Sequence, residues 1–202
     1  MKQLIIKLLC LLCLCVASLN ATTNLTKKNP LVLIETTKGN IIVKLFPQEA
    51  PITCENFLSY VNEGFYTNTL IHRVIDGFII QGGGFTPDYI PKKTKKHIKN
   101  ESRKGLSNTK GSLAMALTTS KHSATTQFFI NLADNLDLDY TTKKGKGYTV
   151  FGEVIDGEET LDNIRRTRTR KINIFSERHN QNVALHDTPI DKIIIKSIKV
   201  LR

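Results

Sequence analysis

From Leu31 onward the chain is a series of short runs of apolar and β-branched residues, each bounded by Gly, Asp, Asn or Lys. Pro30 opens the first run, Leu31 to Thr36. Thr37-Lys38-Gly39-Asn40 then leads into Ile41 to Leu45, and two β-rich runs about a Lys38/Gly39 turn predict a hairpin. Pro47 and Pro51 end strand structure. Beyond them Cys54, Phe57, Leu58 and Val61 fall at i, i+3, i+4 and i+7, so Pro51 to Val61 predicts an amphipathic helix stopped by Gly64. Strand-like runs follow at Leu70 to Val74, Phe78 to Gln81, Ser112 to Leu117, Gln127 to Leu132 and Tyr148 to Ile155. A second helix is predicted from Glu158 to about Arg166, with Leu161 and Ile164 turned inward. The Ile-rich run Ile190 to Leu201 predicts a last strand, a candidate neighbour for the first. Many short strands with few helices predict a closed sheet or a sandwich. No internal repeat or linker interrupts residues 30–202, so one domain is enough.

The N-terminus breaks this pattern. Lys2 and Lys7 precede an apolar run from Leu8 to Ala17, and Ser18, Leu19, Asn20 and Ala21 follow. That succession predicts a secretory signal peptide over residues 1–21, with export to the periplasm or beyond, and a polar linker over residues 22–29. Ala21 suits the cleavage site but Leu19 does not, so cleavage after Ser18 competes. The run is apolar on every face, and Lys7 keeps it short of the roughly 17–25 residues of a membrane span. Removing it takes away Cys10, Cys13 and Cys15 and leaves Cys54 alone, which excludes an internal disulfide. On a helical face with Phe57, Cys54 reads as a buried filler.

Composition narrows the class further. With 12 Gly and 6 Pro in 202 residues and 40% of positions hydrophobic, collagen-like, low-complexity and disordered chains are excluded. The formal charge is +11, and loss of Lys2 and Lys7 lowers it by two. The basic residues cluster at Lys92, Lys93, Lys95, Lys96 and Lys99 and again at Arg165, Arg166, Arg168, Arg170 and Lys171. Neither cluster carries interleaved aromatics for stacking on bases, so nucleic acid is not an expected partner. A solvated basic face is the plainer reading, with contact to an anionic envelope surface as the alternative.

Most catalytic motifs fail on spacing. Gly82, Gly83 and Gly84 follow a strand, but the third glycine of a dinucleotide fingerprint would fall at Pro87. There is no phosphate loop and no Gly-x-Ser-x-Gly elbow. The five histidines, His72, His97, His122, His179 and His186, have no metal-ligand spacing, so no metal or other cofactor is expected. Two segments remain: Ile71-His72-Arg73-Val74-Ile75-Asp76-Gly77-Phe78-Ile79-Ile80-Gln81-Gly82-Gly83-Gly84-Phe85-Thr86 and Ser123-Ala124-Thr125-Thr126-Gln127-Phe128-Phe129-Ile130-Asn131. A two-residue period places Phe78 with Ile80 and Ile79 with Gln81, so Arg73 and Gln81 flank an apolar pocket.

With Tyr148-Thr149-Val150-Phe151-Gly152-Glu153-Val154, these segments make the chain resemble the cyclophilins, the cyclosporin-binding peptidyl-prolyl cis-trans isomerases, most closely their exported bacterial members. The resemblance spans Leu31 to Leu201. It implies a mainly β fold, a closed eight-stranded antiparallel barrel capped by two α-helices, with the active groove outside the sheet. Arg73 becomes the main catalytic residue, with Gln81 and the adjacent His72 in the catalytic set. Gln127 holds the substrate backbone together with Gln81. Phe78, Ile79, Phe129 and Leu138 line a proline pocket, Ala116 and Leu117 the neighbouring backbone groove, and Tyr148 replaces the His of many eukaryotic members. The implied partners are unfolded or proline-containing polypeptides, and the implied state is a monomer. Two departures stand out. Leu117 occupies a frequent Asn position, so one backbone contact falls to its main chain or is missing. Asp137 stands where many members have Trp or Phe, which implies weak cyclosporin binding with catalysis retained.

The chemistry suits these residue types. The X-Pro bond isomerises over a barrier of about 18–20 kcal/mol set by amide resonance, and no bond is made or broken. An Arg donor aimed at the proline nitrogen binds the twisted state alone, because only there does the nitrogen regain a lone pair. A proline-peptide-binding chaperone that barely catalyses is the other function class, motivated by Leu117 and Asp137.

Overall fold

The computed structural model describes residues 29–176 and 181–201; the expected signal peptide, most of the expected linker and His179 lie outside them. Leu31–Thr36 (β1) and Gly39–Leu45 (β2) form the predicted hairpin, with Thr36 opposite Gly39. The Thr36 hydroxyl clamps the turn, accepting from the Lys38 amide at 3.0 Å and donating to the Gly39 carbonyl at 2.7 Å. Gly39 has φ +132°, and a Cβ there would strike the Thr160 hydroxyl, so only glycine fits.

Pro51–Asn62 forms the first helix (α1), with Pro in its first turn, where its missing N–H costs nothing. Its buried face is Thr53, Cys54, Phe57, Tyr60 and Val61. Its N-cap residue, Ala50, supplies no side-chain cap. Instead the buried Glu101 carboxylate accepts from the Thr53 amide at 2.9 Å and the Thr53 hydroxyl at 2.8 Å, satisfying an orphan donor and placing negative charge at the positive end of the helix.

Thr69–Ile75 (β3), Ile79–Gly82 (β4), Ser112–Met115 (β5), Phe128–Asn131 (β6) and Val150–Asp156 (β7) follow, then the helix Glu158–Arg165 (α2). Thr169–Ser176 (β8), Gln181–Pro189 (β9) and Ile193–Leu201 (β10) complete the described chain. Eight strands close into an antiparallel barrel in the order β1-β10-β3-β4-β6-β5-β7-β2, and β8 with β9 forms a separate two-stranded ribbon. The last strand does pair with the first. The ribbon was not predicted. It lies where the charge run Arg165 to Lys171 masks the alternation of Ile172, Ile174, Val183 and Leu185.

The barrel interior is packed solid. Phe57 of α1 reaches the rings of Tyr66, Phe128 and Phe151 at centroid distances of 5.3, 5.7 and 5.2 Å, among Ile34, Val43, Met115 and Ile130. Cys54 is buried there with its sulfur 3.5 Å from the Phe151 carbonyl, and burial pushes its thiol up to about 12, so it packs and does not react. On α2, Leu161 and Ile164 face inward as expected, and Arg165 pairs with Asp162 at 2.7 Å and with Asp76 of the β3–β4 turn at 3.2 Å.

One irregularity decides where the chemistry sits. Between β3 and β4 the register runs Ile71 opposite Gly82 and then Arg73 opposite Gln81, so His72 is an extra, bulged residue. Without the bulge Ile71 and Arg73 would share a face; with it Ile71 and Val74 face the core while Arg73 points outward. His72 itself is 5% exposed and packs edge-on to Phe85 at 4.7 Å, and its Nδ1 has no hydrogen-bond partner among the described residues. Burial, and then the charge of Arg73, hold its pKa down to about 4, with the Leu70 backbone pulling the other way. In the unfolded chain it titrates near the usual 6.5, so the unfolded state binds the extra proton first. Stability is therefore lost as pH falls from about 6.5 to about 4, by up to about 3 kcal/mol from this residue. Urea unfolding at pH 7 and at pH 4.5 checks this: the difference is expected to shrink in His72→Asn, and an equal difference in both proteins would overturn the assignment.

Candidate active site

Register lines up the outer face of the barrel. Arg73 of β3 stands opposite Gln81 of β4, Gln81 opposite Phe129 of β6, Phe129 opposite Ala114 of β5, and Ala114 opposite Val150 of β7. One row thus carries a guanidinium and an amide at one end and an apolar surface at the other. Ile79, Ala114, Phe129 and Val150 form a buried apolar group distinct from the barrel core, and Phe78, Leu106, Ala116, Leu138 and Tyr148 pack over it.

Of these, Phe78, Ile79, Ala116, Phe129, Leu138 and Tyr148 line a cavity of about 110 Å³ that Arg73, Gln81 and Leu117 complete. Pockets for drug-sized ligands measure roughly 300–1,000 Å³, so this smaller one suits a compact ring. Phe129 meets Tyr148 edge-to-face at 5.5 Å, fixing floor against wall. The Gln81 amide donates to the Gln127 side-chain oxygen at 2.9 Å, which brings Gln127 to the rim although it does not line the pocket. Gln127 can lie there because residue 84 is glycine; a Cβ would stand 2.5 Å from its amide.

Three placements depart from the sequence reading. Phe78 does not share a face with Ile80. The strand starts only at Ile79, so Phe78 leaves the tight turn toward the pocket, as the family resemblance implied and the two-residue period did not. His72 is buried against Phe85 and does not line the pocket. Leu117 follows the end of β5 rather than lying in it; it lines the pocket and packs against the core. Arg73 is accessible, its side chain 36% exposed, with its Nε 3.6 Å from a carboxylate oxygen of Asp187 on β9.

The sequence reading missed the groups that hold the pocket wall. Buried Asn131 donates to the Asn108 side chain at 3.2 Å and to the Ser112 hydroxyl at 2.8 Å. Asn135 donates to the Phe78 carbonyl at 2.9 Å and to Asn131 at 2.7 Å, and Asn108 donates to Asp139 at 2.8 Å. This network ties Phe78 and the turn Leu136–Leu138 to the sheet, and the Tyr148 amide closes it on the Leu138 carbonyl at 2.9 Å. Its signal was the density of Asn and Asp at residues 131–139. Asp137, in the same turn, points to solvent, 3.8 Å from the Lys144 amine. In the first basic cluster, Lys92 binds the Phe65 carbonyl and Lys95 pairs with Glu63. Among the described residues no three His, Cys, Asp or Glu side chains gather to hold a metal.

Known proteins share both chain and fold. The family model described as cyclophilin type peptidyl-prolyl cis-trans isomerase/CLD matches residues 31–200. Peptidyl-prolyl cis-trans isomerase B of Escherichia coli is 47% identical over 172 residues, 84% of this chain and 99% of that one. Peptidyl-prolyl cis-trans isomerase A of Dickeya dadantii is 44% identical over 171 residues, 85% of this chain and 84% of its own. Among solved structures, a cyclophilin type isomerase of Cryptosporidium parvum superposes with a TM-score of 0.70 at 30% identity, covering 86% of this chain and 98% of its own. The same protein in the presence of the dipeptide Ala-Pro gives 0.69 at 30% identity, over 85% of this chain and 99% of that one. Barrel, outer pocket and sequence agree: the chain belongs to the cyclophilin-type peptidyl-prolyl cis-trans isomerases.

Proposed function

We propose that the chain rotates X-Pro bonds of exported, incompletely folded polypeptides, with Arg73 as the catalytic residue. The observation that carries the assignment of roles is the row Arg73, Gln81, Phe129 beside a pocket of ring size. The proline ring enters the apolar end, against Phe129 and between Phe78, Leu138 and Tyr148, while Gln81 and Gln127 hold the flanking backbone. Arg73, at the polar end, donates to the proline nitrogen as it turns pyramidal. Acceleration from tens of seconds to milliseconds is about 10⁴-fold, or roughly 5–6 kcal/mol, within reach of one preorganised charged donor plus positioning. A related isomerase studied in the presence of Ala-Pro lends the pocket its ligand class.

Asp137 extends the proposal to ligand choice. It offers a solvated carboxylate where an aromatic wall would shelter an apolar macrocycle, so cyclosporin binds weakly while small X-Pro substrates are unaffected. The sequence of residues 1–21 supports the site of action, outside the cytoplasm.

Three measurements test these points. Turnover of an X-Pro peptide, followed by exchange NMR, is expected to fall about 10²- to 10³-fold in Arg73→Ala with the circular dichroism unchanged; turnover retained in the folded variant would remove Arg73 from the chemistry. Cyclosporin inhibition is expected to tighten about tenfold or more in Asp137→Trp, and an unchanged inhibition constant would show that the position is not what limits binding. N-terminal sequencing of protein released by osmotic shock is expected to begin at Thr22 or Leu19. Recovery of the chain only from the cytosol, starting at Met1, would end the export reading.

A further inference from the structure

The β8–β9 ribbon stands outside the barrel, yet β9 packs beside β3, the strand that carries Arg73. Where they meet, the ribbon has its own bulge. Arg170 faces Thr188 and Ile172 faces Leu185, so Lys171 alone opposes both His186 and Asp187. Asp187 is held at φ +57°, the left-handed region that Asp tolerates better than most residues because its short side chain can bond locally. Its neighbours fix it there: Thr188 and Pro189 are buried, and the Ile190 amide donates to the Arg168 carbonyl at 2.9 Å, closing the ribbon at its base. A bulge and a left-handed residue together re-aim one side chain, and the one they re-aim is a carboxylate, turned onto the Nε edge of Arg73 at 3.6 Å.

Resting on the reading of Arg73 as the catalytic group, we propose that Asp187 is its positioning residue: it holds the guanidinium by the Nε edge so that the terminal N–H groups face the proline nitrogen in the pocket. An arginine side chain has many rotamers, and one that must meet a nitrogen only in the twisted state gains rate from having that freedom removed beforehand. Asp187 and Arg73 are 40% and 36% exposed, so the pair contributes little to folding. Its effect falls on orientation, and stability and turnover therefore separate.

Asp187→Asn and Asp187→Gly both accept the left-handed backbone, so neither introduces strain. Each is expected to lower kcat roughly tenfold, part of the hundredfold that an ångström of misplacement costs, with KM nearly unchanged and the melting temperature within about 3 °C of the parent. The Arg73 Nε–Hε NMR signal is expected to exchange with water faster, and so to be broader, in both variants than in the parent. In an Arg73→Ala background, Asp187→Asn is expected to leave the residual turnover where it is. Unchanged kcat in both single variants, or an equal loss in the Arg73→Ala background, would overturn the proposal. If Arg73→Ala itself keeps full turnover, it is the assignment of Arg73 that fails, and Asp187 has no catalytic group to position.

Discussion

A closed, filled barrel offers each strand residue two faces, and the one-residue bulge at His72 determines which of them Arg73 occupies. Strict alternation from Ile71 would carry a guanidinium into an interior built of Val, Ile, Leu and Phe, where an unpaired charge is prohibitively costly. The bulge absorbs one position. His72 fills that position as a neutral ring against Phe85, and burial holds its pKa down. Everything at the site follows from this shift: Arg73 comes level with Gln81, Gln81 with Phe129, and the row acquires its polar and apolar ends.

Polar groups inside this fold are arranged to hold loops, because the strands already satisfy their own backbones. Glu101 ends the loop from β4 on the N-terminus of α1, and the Asn108–Asn131–Asn135 network ends the loop from β6 against the back of Phe78. Such networks stabilise when every member finds a partner and cost stability when one does not. They make the pocket wall part of the same rigid body as the sheet. A catalyst that relies on orientation alone, with no bond made to the substrate, depends on that rigidity.

How much of this is legible in the chain depends on the range of the signal. The β1–β2 hairpin, both helices and the pairing candidates β1 and β10 follow from local periodicity and turn residues. The motif around Arg73 and Gln81 was legible by resemblance, as were the pocket aromatics. Phe78 was misplaced by the two-residue period because the strand begins one residue later than that period assumes. The role of His72 followed the same path: adjacency to Arg73 in sequence suggested a partner, whereas the bulged ring packs against Phe85 and does not line the pocket. Asp187 gave no signal at all, since its importance lies in a backbone conformation and in a contact with a residue more than a hundred positions away.

The ribbon shows why such a contact arises at that place. A two-stranded hairpin is marginal by itself, and cross-strand pairs such as Ile172–Leu185 and Ile174–Val183 leave one face only half-covered. Basic residues Arg170 and Lys171 discourage its free edge from recruiting another strand. What fixes it to the barrel is its base, where Thr188 and Pro189 are buried next to β3. The segment that must be rigid for the ribbon to hold is therefore the segment beside the catalytic strand. Two bulges meet there, one presenting the cation and one the carboxylate, each on a backbone that its buried neighbours keep from relaxing.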